Sequence, residues 1–232
     1  MALRYRESAR LDAGIIGTLG TILRTMLQTL FAQHLPAATT HLRRADPVIA
    51  SLIEQIPPLS GTVERDRFLA LVSAIVNQQL SGRAAATIMG RLLELFPGGI
   101  SPETVLETPV ERLREAGLSG AKARYLVDLS ARVGSGELDL ERIDELDDAA
   151  VVAELTRVNG IGRWTAEMFL LFSLQRTDVL PVGDLGLRSA VRRHYNLPEL
   201  PTPAEIEAIA APWRPYSSIA TLYLWRSLDP SE

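Results

Sequence analysis

The stretch Val158–Glu167, "VNGIGRWTAE", places two glycines two residues apart, directly before an arginine, a tryptophan and an apolar run. The preceding "DDAAVVAELTRV" carries apolar residues three or four positions apart, as an amphipathic helix requires. The pattern predicts a helix, a tight turn and a second helix from Arg163. Gly160 and Gly162 suit positive φ and close backbone approach, and the outward amides of the second helix suit a phosphate. Taken alone, this short motif more often only joins two packed helices.

Helical signals continue on both sides of this stretch. Capping residues precede apolar runs of helical spacing at several points, including Asp46, Ser81, Ser119 and Asp147. Alternating strand patterns with hairpin turns are hard to find. We therefore predict an all-α fold of about ten to twelve helices joined by short loops.

Composition limits the chemistry that this chain can perform. Its 232 residues are 47% hydrophobic, enough for one domain or two closely packed lobes. The chain has no cysteine, which excludes disulfides, thiolate catalysis and an iron–sulfur cluster, and its 3 histidines lie too far apart in sequence to favour zinc. A net charge of −4 argues against general nucleic-acid binding but permits a local basic patch. Lys122 is the single lysine, so it is the only side-chain amine for a Schiff base.

The N-terminal residues differ from the rest of the chain. Arginines precede an apolar run that is too short to span a bilayer and lacks a cleavage site of the secretory type. We interpret residues 1–36 as an extension in which Thr21–His34 forms an amphipathic helix, with translation from Met26 as an alternative. We expect no membrane partner and a cytoplasmic location, at the nucleoid if the source is a prokaryote.

Two longer segments, "LTRVNGIGRWTAEMFLLF" and "DVLPVGDLGLRSAVRRHY", resemble the helix-hairpin-helix and Gly/Pro-Asp (HhH-GPD) signature of the DNA glycosylase superfamily that contains endonuclease III. The chain is most similar to alkylation-repair glycosylases of the 3-methyladenine DNA glycosylase II type. The resemblance continues through "ALVSAIVNQQLSGRAA", "GLSGAKARYLVDLS" and "PWRPYSSIATLYLWR", from about Asp46 to Leu228. It implies a glycosylase domain over residues 37–230 without an N-terminal β domain. It also implies a cleft between a lobe of residues 68–172 and a lobe of residues 37–67 plus 173–230.

The resemblance places the essential aspartate of the family at Asp184. A carboxylate there would stabilise oxocarbenium character at C1′ of an extruded nucleotide as the base leaves. Alternatively, Asp184 is only the N-cap of the next helix. Strand-cleaving relatives carry a lysine at the position of Trp164, so the resemblance implies a monofunctional enzyme. The Trp164 indole would stack on a cationic alkylated base, although a core position for it is nearly as well supported.

Base extrusion leaves a gap in the DNA stack, which the family fills from the loop that holds Gln78, Gln79 and Leu80 here. Gln79 or Leu80 would be the wedge, and Gln78 would bond the opposite strand; alternatively, these are solvated residues at a helix end. The resemblance also implies contacts to the DNA backbone from Gly160, Gly162, Arg163 and Thr165. It implies a monovalent-cation site formed by the carbonyl oxygens of Thr156, Val158 and Ile161. It places two aromatic residues, Tyr216 and Trp213, in the base pocket. We expect Tyr223 and Trp225 to fill the core.

These observations predict a monomeric enzyme that acts on double-stranded DNA and removes alkylated purines such as 3-methyladenine or 7-methylguanine. It would leave an abasic site and need no cofactor for catalysis. Two alternatives stay open at this point. One is a glycosylase for another lesion, such as oxidised purines, and the other is a non-catalytic helix-hairpin-helix module that only binds DNA.

Overall fold

A computed structural model of the protein describes residues 31, 33–57 and 66–228. Within these ranges the structure contains twelve α-helices, two short 3-10 helices and no strand, so the predicted all-α fold is confirmed. Predictions for residues 1–30, which include most of the Thr21–His34 helix and the alternative start at Met26, lie outside the described part. No helix of the described ranges has the length and apolarity needed to cross a membrane.

The α-helices follow one another with short connections. In chain order they are α1 (Leu35–Ala45), α2 (Pro47–Gln55), α3 (Arg67–Asn77), α4 (Gly82–Leu95), α5 (Pro102–Glu107), α6 (Val110–Glu115), α7 (Gly120–Gly134), α8 (Asp148–Thr156), α9 (Arg163–Phe172), α10 (Leu185–His194), α11 (Pro203–Ala210) and α12 (Ser217–Arg226). The 3-10 helices are Ile143–Glu145, before α8, and Ala211–Trp213, after α11.

The helices begin where the capping residues predict. Asp46 accepts hydrogen bonds from the amides of Val48 and Ile49, which opens α2. The Asp147 carboxylate accepts from the Ala150 amide at 2.8 Å and opens α8 in the same way. Such caps satisfy amides that have no acceptor inside the helix, so the signal is local and readable from sequence.

The first helix begins before the predicted glycosylase domain. Helix α1 begins at Leu35, two residues before the glycosylase domain predicted from residue 37, and its Ala38 and Leu42 are both 0% exposed. Pro36 in its first turn and the four-residue spacing of these apolar residues were the available signal. Helix α3 ends at Asn77, because the chain turns directly after it.

The contacts divide the chain into two compact units. The described residues of the first unit lie within Glu64–Phe169, and those of the second lie within Leu23–Val63 and Leu170–Glu232. Leu71, Ile75 and Leu155 are among the fully buried residues of the first unit. The burial of such apolar side chains is the main stabilising contribution to each unit.

The core of the second unit surrounds one buried carboxylate. Asp46 is 5% exposed, and its Oδ2 accepts hydrogen bonds from Tyr195 Oη at 2.5 Å and from Trp213 Nε1 at 2.8 Å. Its Oδ1 caps α2, so both oxygens have donors. Burial, together with the hydrogen bond to the Asp46 carboxylate, raises the pKa of Tyr195 far above its ordinary value. This carboxylate therefore joins α2 to the residues around α10 and α11.

Candidate active site and DNA-contacting elements

Asp184 occupies the loop between α9 and α10 and is the N-cap of α10. Its Oδ1 accepts a hydrogen bond from the Leu187 amide at 2.6 Å, and its own amide donates to the Pro181 carbonyl at 2.8 Å. The N-cap role of Asp184, which we gave as the alternative to a catalytic role, is therefore observed. It also holds the carboxylate at a helix N-terminus, where the helix dipole favours negative charge.

A second donor reaches the same carboxylate from α12. Trp225 Nε1 donates to Asp184 Oδ1 at 2.8 Å, and the Trp225 ring stacks on Phe172 with ring centroids 6.2 Å apart. A Cβ on Gly186 would lie 3.0 Å from Asp184 Oδ1 and 3.3 Å from the indole, so only glycine fits there without displacement of a neighbour. We expected Trp225 in the core, but it is only partly buried and orients Asp184.

The hairpin turn between α8 and α9 belongs to the first unit. Gly160 has a φ of +84°, and a Cβ on it would lie 2.2 Å from the Tyr125 ring, so the turn requires glycine at this position. The neighbouring Asn159 amide donates to Asp128 Oδ2 at 2.7 Å. Gly162 is different: its φ is not in the left-handed region and a Cβ there would meet nothing within 4 Å. The expected close approach therefore applies to Gly160 alone.

Helix α9 presents three of the predicted residues in its first turn. Thr165 is 6% exposed, while its amide lies in the turn whose N–H groups have no intrahelical acceptor. Arg163 is 75% exposed at its side chain and its Nε donates to Glu167 Oε1 at 2.9 Å. Trp164 is 50% exposed, which places the indole at the surface and excludes the core alternative.

The predicted wedge lies in a β-turn of residues 77–80 between α3 and α4. The Leu80 amide donates to the Asn77 carbonyl, Gln78 has φ −54° and ψ 128°, and Gln79 has φ +57°. These angles are those of a type II turn, whose third residue is normally glycine or asparagine. Gln79 is exposed and Leu80 is 40% exposed, so the turn presents both candidate side chains to solvent.

The structure joins this turn to the hairpin. Gln78 Nε2 donates to the Gly160 carbonyl at 2.7 Å, so the side chain expected to reach the opposite DNA strand is engaged inside the first unit. Lys122, the single lysine, donates from Nζ to the Val76 carbonyl at 2.7 Å and to the Gln78 carbonyl at 2.6 Å. Partial burial lowers the pKa of Lys122 below its ordinary value. Both hydrogen bonds of the Lys122 amine therefore go to carbonyls at the end of α3.

The two predicted pocket aromatics behave differently. Trp213 is 0% exposed and its Nε1 donates to the buried Asp46, so the assignment of this indole to a base pocket is wrong. The sequence shows that Trp213 lies close to Tyr216 in the chain, but it does not show that the buried Asp46 carboxylate binds the Trp213 indole. Tyr216 is partly buried at the start of α12, with its ring edge-to-face against His41 at a centroid distance of 5.6 Å.

The proposed cation site uses backbone carbonyls of the hairpin. The Val158 carbonyl accepts from the Ile161 amide at 3.1 Å, and a carbonyl oxygen has a second lone pair with which it can bind a cation. Carbonyl oxygens are the kind of ligand that a monovalent cation takes, and the cation site at Thr156, Val158 and Ile161 stays a prediction. Among the described residues there is no group of three or more histidine, aspartate or glutamate side chains suited to a metal.

Four side chains that position the predicted site residues could not be identified from the sequence. Trp225 acts on Asp184, while Lys122, Tyr125 and Asp128 follow one face of α7 and contact the wedge turn and the hairpin. The only signal was the three-residue spacing of Lys122, Tyr125 and Asp128, which shows a shared face but not what it contacts.

Comparison with known proteins identifies the family. The model of the HhH-GPD superfamily of base excision DNA repair proteins matches residues 72–215. The chain belongs to this superfamily. Among HhH-GPD proteins, it is 30% identical to DNA-3-methyladenine glycosylase 1 of Schizosaccharomyces pombe, over 77% of this chain and 80% of that protein.

Solved HhH-GPD structures agree with this assignment. A DNA-3-methyladenine glycosidase from Bacillus halodurans has a TM-score of 0.72 and 36% identity, covering 86% of this chain and 87% of that one. The 3-methyladenine DNA glycosylase Mag1 of Schizosaccharomyces pombe, solved in complex with abasic DNA, has a TM-score of 0.71 and 29% identity, covering 84% of this chain and 100% of that one.

Proposed function

We propose that this protein is a DNA glycosylase of base excision repair, which hydrolyses the N-glycosidic bond of alkylated purines in double-stranded DNA. The observation that carries the proposal is the Asp184 carboxylate at the start of α10, held by the Leu187 amide and the Trp225 indole in a chain of the HhH-GPD superfamily. Relatives named DNA-3-methyladenine glycosylase support the alkylated substrate.

The proposed chemistry is electrostatic. As the bond from C1′ to the base breaks, the sugar acquires positive charge, and the Asp184 carboxylate stabilises it. Alkylated purines such as 3-methyladenine and 7-methylguanine already carry positive charge, which makes the base a good leaving group. The base leaves as a neutral molecule, water adds at C1′ and loses its proton to solvent, and the product is an abasic site together with the free base.

The absence of lyase activity is a separate part of the proposal. Trp164 stands where strand-cleaving relatives carry the attacking lysine, and indole cannot form a Schiff base. The one lysine of the chain, Lys122, is bound to two backbone carbonyls of the first unit. The half-exposed Trp164 indole instead offers an electron-rich face to a cationic base.

The proposed ligands of the hairpin are DNA phosphates and a monovalent cation. The hairpin amides at Gly160, Gly162 and Thr165 bind DNA phosphates with Arg163, and the hairpin carbonyls hold a monovalent cation that fixes the turn. Catalysis needs no cofactor. The enzyme acts as a cytoplasmic monomer, since one lesion engages one chain.

Release of free bases from methylated DNA tests the reaction and the substrate together. Purified protein is incubated with duplex DNA treated with a methylating agent, and the released bases are separated by chromatography. We expect 3-methyladenine and 7-methylguanine from the wild type. An Asp184→Asn variant keeps an oxygen that caps α10 but loses the charge, so base release falls by about 10²–10³-fold while DNA affinity changes little. Unchanged release by this variant contradicts the assigned mechanism.

Borohydride treatment tests the monofunctional part. A Schiff base between enzyme and abasic site would be reduced to a stable adduct, and strand breaks would form without alkali. We expect neither with the wild type. A Trp164→Lys variant is the informative comparison, because it restores the amine of strand-cleaving relatives. Trapped adduct with the wild type, abolished by Lys122→Met, would reassign the nucleophile to Lys122.

A further inference from the structure

The single lysine of the chain holds the wedge turn in its unusual conformation. Lys122 lies in the first turn of α7, and its Nζ contacts two carbonyls from the end of α3, those of Val76 and Gln78. Both contacts are 2.7 Å or shorter, as hydrogen bonds from a charged ammonium are. The Lys122 side chain is partly buried and its ammonium bonds two backbone carbonyls, which leaves it little freedom.

The second of these carbonyls belongs to the peptide that defines the turn type. In type I and type II turns the first central residue has a similar φ, but the peptide between the two central residues is flipped. Here those residues are Gln78 and Gln79, and the flipping group is the Gln78 carbonyl. In the type II form Gln79 has φ +57°, which costs a residue with a Cβ appreciable energy. The hydrogen bond from Lys122 opposes this cost.

The Gln78 side chain gives the turn a second attachment. Its Nε2 donates to the carbonyl of Gly160, the hairpin residue against which the Tyr125 ring packs. Lys122 and Tyr125 both lie on α7, so one helix face supports the wedge turn and the hairpin together. Gln79, one residue further on, is exposed and has no such attachment to Lys122.

From this geometry we propose that Lys122 is a positioning residue for base extrusion: it fixes the Gln78–Gln79 peptide in the type II orientation and so projects the Gln79 side chain as the wedge. The inference rests on the proposed function, because it assumes that the protein extrudes a base from duplex DNA. Lys122 itself touches no reacting atom in this scheme.

The test separates extrusion from chemistry. A duplex carries 3-deaza-3-methyladenine, a stable analogue of the alkylated base, with 2-aminopurine beside it, whose fluorescence rises when stacking is lost. Lys122→Met keeps the length of the stem and removes the donors. We expect its fluorescence rise at saturating protein to be about tenfold smaller or slower than that of the wild type, with affinity for undamaged duplex changed by less than about threefold. Lys122→Arg retains donors and restores part of the signal.

Two further variants keep the result interpretable. Arg142→Met removes the same charge from an exposed side chain of the first unit and should behave as wild type. In a Gln79→Ala background, Lys122→Met should add less than about a twofold effect, because residues that act as one unit are not additive. Circular dichroism at the assay temperature confirms that each variant is folded.

Three outcomes overturn the inference: a wild-type signal in Lys122→Met, full additivity with Gln79→Ala, or loss of the Lys122 effect in a Leu80→Ala background instead. Failure of the proposed function gives a different pattern, since wild-type protein would then release no methylated base whatever the fluorescence shows.

Discussion

Trp225 donates a hydrogen bond from its indole nitrogen to Asp184 Oδ1 at 2.8 Å, so the proposed catalytic carboxylate is oriented by an aromatic residue from the last described helix. The same oxygen accepts from the Leu187 amide, which means that one oxygen takes two donors and is fixed in place. A carboxylate that must face a developing cation gains from this arrangement, because its direction is set before the reaction begins.

Trp225→Phe removes this donor and leaves the cap of α10 intact. We expect base release under single-turnover conditions to slow about tenfold, as one hydrogen bond to a charged group is lost. The melting temperature should change little, because a phenyl ring still packs on Phe172. A rate equal to wild type would mean that the Trp225 hydrogen bond is not needed to orient Asp184.

Gly186→Ala inserts a methyl group beside the same carboxylate. The new Cβ would lie 3.0 Å from Asp184 Oδ1 and 3.3 Å from the Trp225 indole, so one of them must shift by a few tenths of an ångström. We expect about a tenfold loss in the single-turnover rate, since catalytic groups need placement to about half an ångström. Gly183→Ala is the matched control, because nothing lies within 4 Å of its Cβ, and it should retain wild-type rates. Equal effects of the two substitutions would contradict the argument.

Gly160→Ala and Gly162→Ala form a second matched pair. At Gly160 a Cβ would overlap the Tyr125 ring at 2.2 Å and the φ is +84°, whereas at Gly162 the space is open. Gly160→Ala should lower the free energy of unfolding by about 2–4 kcal/mol and weaken duplex binding, because the hairpin must deform. Gly162→Ala should stay within about 0.5 kcal/mol of wild type. Urea denaturation and fluorescence anisotropy with a duplex measure the two quantities.

Asp46→Ala should be among the most destabilising single substitutions in the second unit. It removes the cap of α2 and leaves Tyr195 Oη and Trp213 Nε1 without their acceptor, so we expect a loss of about 3–5 kcal/mol in the free energy of unfolding. Asp147→Ala removes an exposed cap from α8 and should cost about 1 kcal/mol. Similar losses for both would show that the buried hydrogen bonds contribute little.

Tyr195 makes stability sensitive to alkaline pH. Its pKa is raised in the folded protein above the ordinary value of 10.0, so the unfolded chain releases this proton first. Stability contributed by the neutral phenol is therefore complete below about pH 10 and falls as pH rises further, by about 1.4 kcal/mol per pH unit. Urea denaturation from pH 9 to 11 should show a shallower fall for Tyr195→Phe than for wild type. Parallel curves would assign the fall to other groups, such as Tyr223, whose pKa burial also raises.

The features that the sequence predicted correctly depend on neighbours in the chain. Asp184 was predicted as a helix cap, and the cap involves an amide only three residues away. The left-handed conformation at Gly160 and the start of α9 are likewise local, because turn and cap geometry depends on a few consecutive residues. The exposure of Trp164, by contrast, could not be decided from its sequence, and only the structure excluded a core position.

By itself, then, the sequence determined the helices, their caps, including the one at Asp184, the hairpin glycine and the membership of a superfamily. Only the tertiary structure decided that Trp225 holds Asp184 across 41 residues, that Gln78 reaches Gly160 across 82, and that Trp213 lies in the core with Asp46 across 167. The physical reason is that a cap is satisfied within one helical turn, whereas these hydrogen bonds form only after packing has brought distant segments together.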